Sequence, residues 1–110
     1  MRRAIARAEL YLNDVDVGSV AVDGWEGSWG FGQFSPNENF ARFSLVFGRW
    51  SLLMHAEDDR RQLSPEALDE LRKAEYAIDA LRARLHFVHT DEWRRVRQVN
   101  IDGSLIEWKE

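Results

Sequence analysis

The chain contains no cysteine, which excludes disulfide staples, thiolate catalysis and cysteine-bound metal centres. A basic excess is also missing: 15 lysines and arginines stand against 19 acidic residues, for a formal charge of -4. Broad electrostatic attraction to phosphate backbones is therefore not expected. No apolar run is long enough to span a bilayer. Arg7 and Glu9 interrupt the apolar stretch that a secretory signal would need after Met1-Arg2-Arg3. A cytoplasmic protein without membrane attachment is the expectation. Catalytic signatures are absent too. There is no Gly-x-Ser-x-Gly elbow and no Walker sequence, and Gly30-Phe31-Gly32 lacks the third glycine and following helix of a dinucleotide loop.

What is present is enough apolar material for one core. The sequence has 110 residues, 45% of them hydrophobic, and chains near this size bury roughly two thirds of the surface exposed on unfolding. No linker-like or low-complexity tract divides it, so a single domain over 1–110 is expected.

Residues 4 to 12 alternate Ala4, Ala6, Ala8, Leu10 and Leu12 against Ile5, Arg7, Glu9 and Tyr11, the period of a half-buried strand. Asn13-Asp14 reads as a two-residue turn, setting Leu12 opposite Val15 and Leu10 opposite Val17. Asp23-Gly24 offers a second turn into a third strand. The two prolines, Pro36 and Pro65, each follow a serine, the pattern of an N-cap with proline at the first helical position. Glu38 completes a capping box for the first helix. That helix carries Phe40, Phe43, Val46, Phe47, Trp50 and Met54 on one side, and Ala41, Leu45, Gly48 and Leu52 well round from them. Contact on two sides is expected, with Gly48 marking a close approach. A charged linker over 56–62, including Glu57, Asp58, Asp59, Arg60 and Arg61, precedes an amphipathic helix over about 65–84. Strand character returns in Leu85 to Thr90, Arg94 to Ile101 and Ser104 to Lys109. Asp102-Gly103 is a strong hairpin signal between the last two, pairing Val99 with Ile106 and Arg97 with Trp108. The order βββ-αα-βββ predicts an α+β two-layer domain, an antiparallel sheet of five or six strands with both helices packed on one face.

Residues 25 to 34, Trp-Glu-Gly-Ser-Trp-Gly-Phe-Gly-Gln-Phe, concentrate four aromatics and three glycines. As a strand they place Trp25, Trp29 and Phe31 on one face and Gly30, Gly32 and Phe34 on the other. Two readings follow. The rings line the core against Phe43, Phe47 and Trp50, or the helices cover the glycine face and the rings form an exposed interaction site.

His86, His89 and Asp91 have the ligand types of a metal site, but on a strand the two histidines point to opposite faces, so no metal or other cofactor is assigned. The Asn13 to Gly18 segment fails the calcium-loop pattern. Arg94, Arg95 and Arg97, near Trp93 and Trp108, combine guanidinium groups with stackable rings, a pattern suited to weak nucleic-acid binding; the negative net charge argues against nucleic acid as the partner. Arg97 is also placed to stack on Trp108. The sequence therefore points first to a non-catalytic interaction or regulatory module acting through a protein partner or by self-association as a homodimer. Its interaction candidates are Trp25, Trp29, Gly30, Phe31, Gly32, Phe34, Arg97 and Trp108. A small-molecule binder or metal-assisted enzyme using the aromatic strand and the His86 to Glu92 segment is the alternative.

Overall fold

Alternating apolar residues in the first third of the chain build a meander of three strands, β1 (Ala6–Leu12), β2 (Val15–Glu26) and β3 (Trp29–Pro36). Two helices follow, α1 (Ala41–Asp58) and α2 (Pro65–Asp79), and then β4 (Ala83–Phe87), β5 (Glu92–Asp102) and β6 (Leu105–Lys109). The computed structural model describes residues 4–58 and 63–110. The expected linker over 56–62 begins within α1, and its residues 59–62 lie outside the described residues.

The six antiparallel strands and two helices match the α+β composition, but the layer arrangement does not. The sheet closes into a barrel in the order β1-β2-β3-β6-β5-β4, because β1 hydrogen-bonds β2 on one side and β4 on the other. Register shifts at Leu10/Tyr11, Val22/Gly24 and Arg97/Asn100 accompany the closure. Such bulges bend and twist a strand, which lets a short sheet meet its own edge. Helices then have no open inner face to cover.

Three turns set the registers. Asn13 and Asp14 both take positive φ, 51° and 68°, and Leu12 pairs with Val15 as the turn requires. The bulge then places Leu10 opposite Gly18 rather than Val17. Asp23-Gly24 is not a turn but part of β2, where the register shifts; the chain reverses instead at Gly27-Ser28, with Gly27 at φ 63°. Asp102-Gly103 also moves by one position. Asp102 pairs with Leu105, so Gly103 (φ 62°) and Ser104 form the turn and Ile101 faces Ile106. After the β5 bulge Arg97 pairs with Lys109, which overturns the expected Arg97–Trp108 stack.

The barrel interior is filled by Leu10, Leu12, Val20, Val22, Phe34, Leu85, Ile101, Ile106 and Trp108, all at most 4% exposed. One end is covered by the helical segment. Asn37, not Ser35, caps a 3₁₀ turn at Glu38–Phe40, because β3 continues through Pro36. The side chains of Asn37 and Asn39 donate to the Asp16 carbonyl at 3.0 and 3.1 Å, tying this turn to the start of β2. Phe34, Phe40 and Phe47 then form a ring-to-ring series with centroids 5.1 and 5.8 Å apart. α2 begins where the sequence placed it, with the Ser64 hydroxyl accepting from the Ala67 amide at 3.1 Å, and it buries Leu71, Ala74 and Ile78. The pair of helices packs together and against β5. Asp102, at the end of β5, fixes α1 by accepting from the Ser51 hydroxyl at 2.6 Å and bonding His55 Nε2 at 2.8 Å.

The opposite end is closed by side chains. Trp25 pairs across the hairpin with Gly30 and stands edge-on to Trp108, 6.5 Å between centroids, and stacked on Phe87 at 6.3 Å. The Arg94 guanidinium lies 4.8 Å from the Phe87 centroid and is held by Glu92 and Glu110 at 3.0 and 3.1 Å. Those hydrogen bonds, led by Glu92, raise the pKa of Arg94 further.

Candidate interaction site

Strand alternation decides the aromatic segment. Gly30, Gly32 and Phe34 face the barrel interior and are buried, while Phe31 and Gln33 are exposed and Trp29 is half-buried on the outside. Neither expected arrangement is met as drawn. The rings do not line the core, and on the glycine face Trp108 covers Gly30, the β2 backbone at Ala21 and Val22 crowds Gly32, and only Phe34 meets the helical segment, through Phe40. A Cβ on Gly30 would sit 2.3 Å from Trp108 Cε2, so the absent side chain is the space that the largest buried residue occupies. Trp25 leaves the group, since the displaced turn puts it on the strand opposite Trp29 and on the same side as Gly30. Of the eight interaction candidates, Trp29, Phe31 and Arg97 are thus outside the barrel, Trp25 closes its end, and Gly30, Gly32, Phe34 and Trp108 are buried.

A second surface lies on α1. Phe47 is buried and Phe43, Val46 and Trp50 pack partly on the core. The other stripe has no cover among the described residues: Leu45 and Leu52 are each 75% exposed, and a Cβ on Gly48 would meet nothing within 4 Å. The close approach expected at Gly48 does not occur. The groove beside this stripe, between α1 and α2, has a volume of about 490 Å³ and is bordered by Leu45, Val46, Ala74 and Ala77 together with Arg42, Arg49 and Lys73.

A third cluster on the outer wall joins β1, β4 and β5. His86 lies between two carboxylates, Nδ1 3.2 Å from Glu9 and Nε2 2.6 Å from Asp91. Its ring stacks on Trp93 at 4.5 Å, Tyr11 packs on the same indole at 4.9 Å, and the Arg84 guanidinium lies 4.8 Å from it. The hydrogen bonds to Asp91 and then Glu9 raise the imidazole pKa. Partial burial, then a hydrogen bond with Glu9, raises that of Asp16, and burial raises that of Tyr11. With both ring nitrogens occupied by carboxylates, His86 offers no free lone pair to a metal. His89 is exposed in the following turn, and the described residues contain no group of three or more His, Asp or Glu side chains arranged to hold a metal ion.

Ser51, Asp102 and His55 are the residue types of a hydrolytic triad in the wrong order. Asp102 is the central group and both others bond to it, so no imidazole is bonded to the serine to take its proton. Arg94, Arg95 and Arg97 do not form one patch either. Alternation directs Arg94 to the barrel end with its two carboxylates, and leaves Arg95 and Arg97 exposed. Among the described residues no helix is long and apolar enough to cross a membrane.

Sequence reading missed two elements of these surfaces. Glu9, Tyr11 and His86 meet only because β1 closes on β4, a pairing with no local signal. Trp50 is read as core, yet it also borders two clefts against the outer barrel wall. Comparison with protein-family models, curated proteins and solved structures returns no match to this chain.

Proposed function

We propose that this protein is a non-catalytic interaction module that self-associates through the outer stripe of α1. One observation carries the reading: Leu45 and Leu52, each 75% exposed, flank an open Gly48 on a helix whose other side is already committed to the core. Burying large aliphatic side chains that are otherwise in water contributes roughly 1.5–3 kcal/mol each. The stripe is also self-complementary. An antiparallel two-fold crossing near Gly48 sets Leu45 of one copy against Leu52 of the other, and the bare glycine permits the helices to approach closely. The triad-like residues support no competing hydrolytic reading, because Asp102 separates Ser51 from His55.

Sedimentation velocity over a concentration series tests this. Wild-type protein is expected to shift toward a dimer as concentration rises, and a Leu45→Ser, Leu52→Ser variant to remain monomeric with an unchanged circular dichroism spectrum. Wild-type protein that stays monomeric at every concentration would overturn the proposal.

A further inference from the structure

The clefts that separate the helical pair from the outer barrel wall hold a binding chemistry distinct from the α1 stripe. One lobe, of about 250 Å³, lies between Trp29 and Trp50, with Met54 and Ile78 as apolar surface and Gln98 and Asn100 as amides. The other, of about 330 Å³, is bordered by Phe31, Trp50, Leu105 and Ile106. Trp50 and Asn100 border both, so the lobes adjoin there. Each lobe is near the lower end of the size range of small-molecule sites.

Charge selects the ligand. Glu75 and Asp79 line the first lobe and Asp23, Asp102 and Glu107 the second, while among the described residues no lysine or arginine lines either. Asp102 is engaged by Ser51 and His55, and Glu107 accepts from the Asn100 amide at 3.0 Å. Asp23, Glu75 and Asp79 form no ion pair among the described residues. An anion is repelled from such a cleft, and a neutral apolar molecule would desolvate carboxylates without pairing them. A cation satisfies them. The indoles favour the same charge, since an ammonium over a tryptophan face is attracted by the ring quadrupole. Lys109 Nζ already stands 6.0 Å from the Trp29 centroid at the rim, so Trp50, which borders both lobes, is the indole that faces the ligand.

We infer that this two-lobed cleft binds a linear organic polycation of the polyamine type, its ammonium groups at the free carboxylates of the two lobes and its methylene chain along Trp50, Met54, Ile78 and Leu105. The requirement for more than one cationic centre comes from the spread of free carboxylates, Asp23 in one lobe and Glu75 and Asp79 in the other. The methylene requirement comes from the apolar surface between them.

Titration calorimetry and tryptophan fluorescence with spermidine test the assignment. Expected are saturable one-to-one binding, a fluorescence change that saturates at the same ratio, and no response to a neutral diol of similar length. A Glu75→Gln, Asp79→Asn variant should bind at least about tenfold more weakly, the loss expected from removing charge-assisted contacts. Both positions are exposed and isosterically replaced, so the fold is retained. A Glu38→Gln, Glu66→Gln variant makes the same charge change away from the cleft and should bind like wild type. Absence of saturable binding, or equal weakening by both variants, would overturn the proposal, the second by showing only diffuse attraction to a negatively charged protein.

Discussion

Gly30 and Gly48 are the same residue type under opposite constraints. At Gly30 an added methyl group would meet the Trp108 ring at 2.3 Å with the indole fixed at 0% exposure. Gly30→Ala should therefore destabilise the fold by about 1–3 kcal/mol, the usual cost of overpacking a filled core. Gly48→Ala lies mid-helix in open space and should stabilise the monomer by about 1 kcal/mol through helix propensity alone. Denaturant unfolding of the two variants checks both signs. His86 supplies a third test at this scale. It bonds Glu9 of β1 and Asp91 of the turn after β4, its stacking partner Trp93 carries the Arg84 guanidinium, and the two bonded carboxylates, Asp91 first, raise its pKa. The folded state thus holds the proton more tightly than the unfolded chain. The resulting stabilisation is complete below the ordinary imidazole value and is lost as pH rises through the raised folded value. Asp91→Asn, at a position with φ 52° that asparagine tolerates, should lower the His86 titration midpoint observed by NMR. An unchanged midpoint would show that Asp91 is not the main cause.

Between elements, the attachment of α1 to the end of β5 rests on a carboxylate that serves two donors. The Ser51 hydroxyl bond lowers the pKa of Asp102, and the bond to His55 adds to it. Stability from this contact is therefore present above the ordinary aspartate value and is lost as pH falls through the lowered folded value. Asp102→Asn should cost about 1 kcal/mol at neutral pH, a typical net hydrogen-bond contribution, and should flatten the acid limb of the stability profile. The identities of the strands and helices were legible from alternation, the Ser64-Pro65 cap of α2 and the 3.6-residue spacing of Phe43, Phe47 and Trp50 in α1. Barrel closure was not. Alternation says which residues face inward, but β1 meets β4 across more than seventy residues of sequence, and no local pattern encodes that pairing. The turns at Gly27 and Gly103 were displaced for a related reason: an Asp-Gly dipeptide fits a turn, a bulge or a turn one residue later, and the register of the whole barrel selects among them. The cleft residues were partly visible. Trp29 and Phe31 stood out as candidates, whereas nothing in the sequence sets Glu75 and Asp79 apart from the other acidic residues of α2.

For the whole molecule, closure changes how the fold comes apart. Every strand has two hydrogen-bonded neighbours, so no strand can leave from an edge, and opening any one breaks ladders on both sides along with the interior around Trp108. The helical pair is attached differently, by the Phe34–Phe40–Phe47 series, by contacts with β5 and by the exposed Asp102 cluster. Native-state hydrogen exchange should separate the two. Amides in the β1–β4 seam, Ala8 to Leu12 and Ala83 to Phe87, are expected to exchange only through global unfolding, while much of α1 and α2 exchanges through a lower-energy opening that leaves the barrel intact. Seam amides that exchange as fast as those of the helices would mean that the barrel opens between β1 and β4. That result would also remove the basis for the Glu9–His86 contact, since those residues sit opposite each other in the seam. A spermidine-dependent slowing of exchange in α1 and α2, with the seam unchanged, is the further expectation if the cleft draws the helices onto the outer wall, because a ligand bound to both bodies stabilises only the opening that separates them.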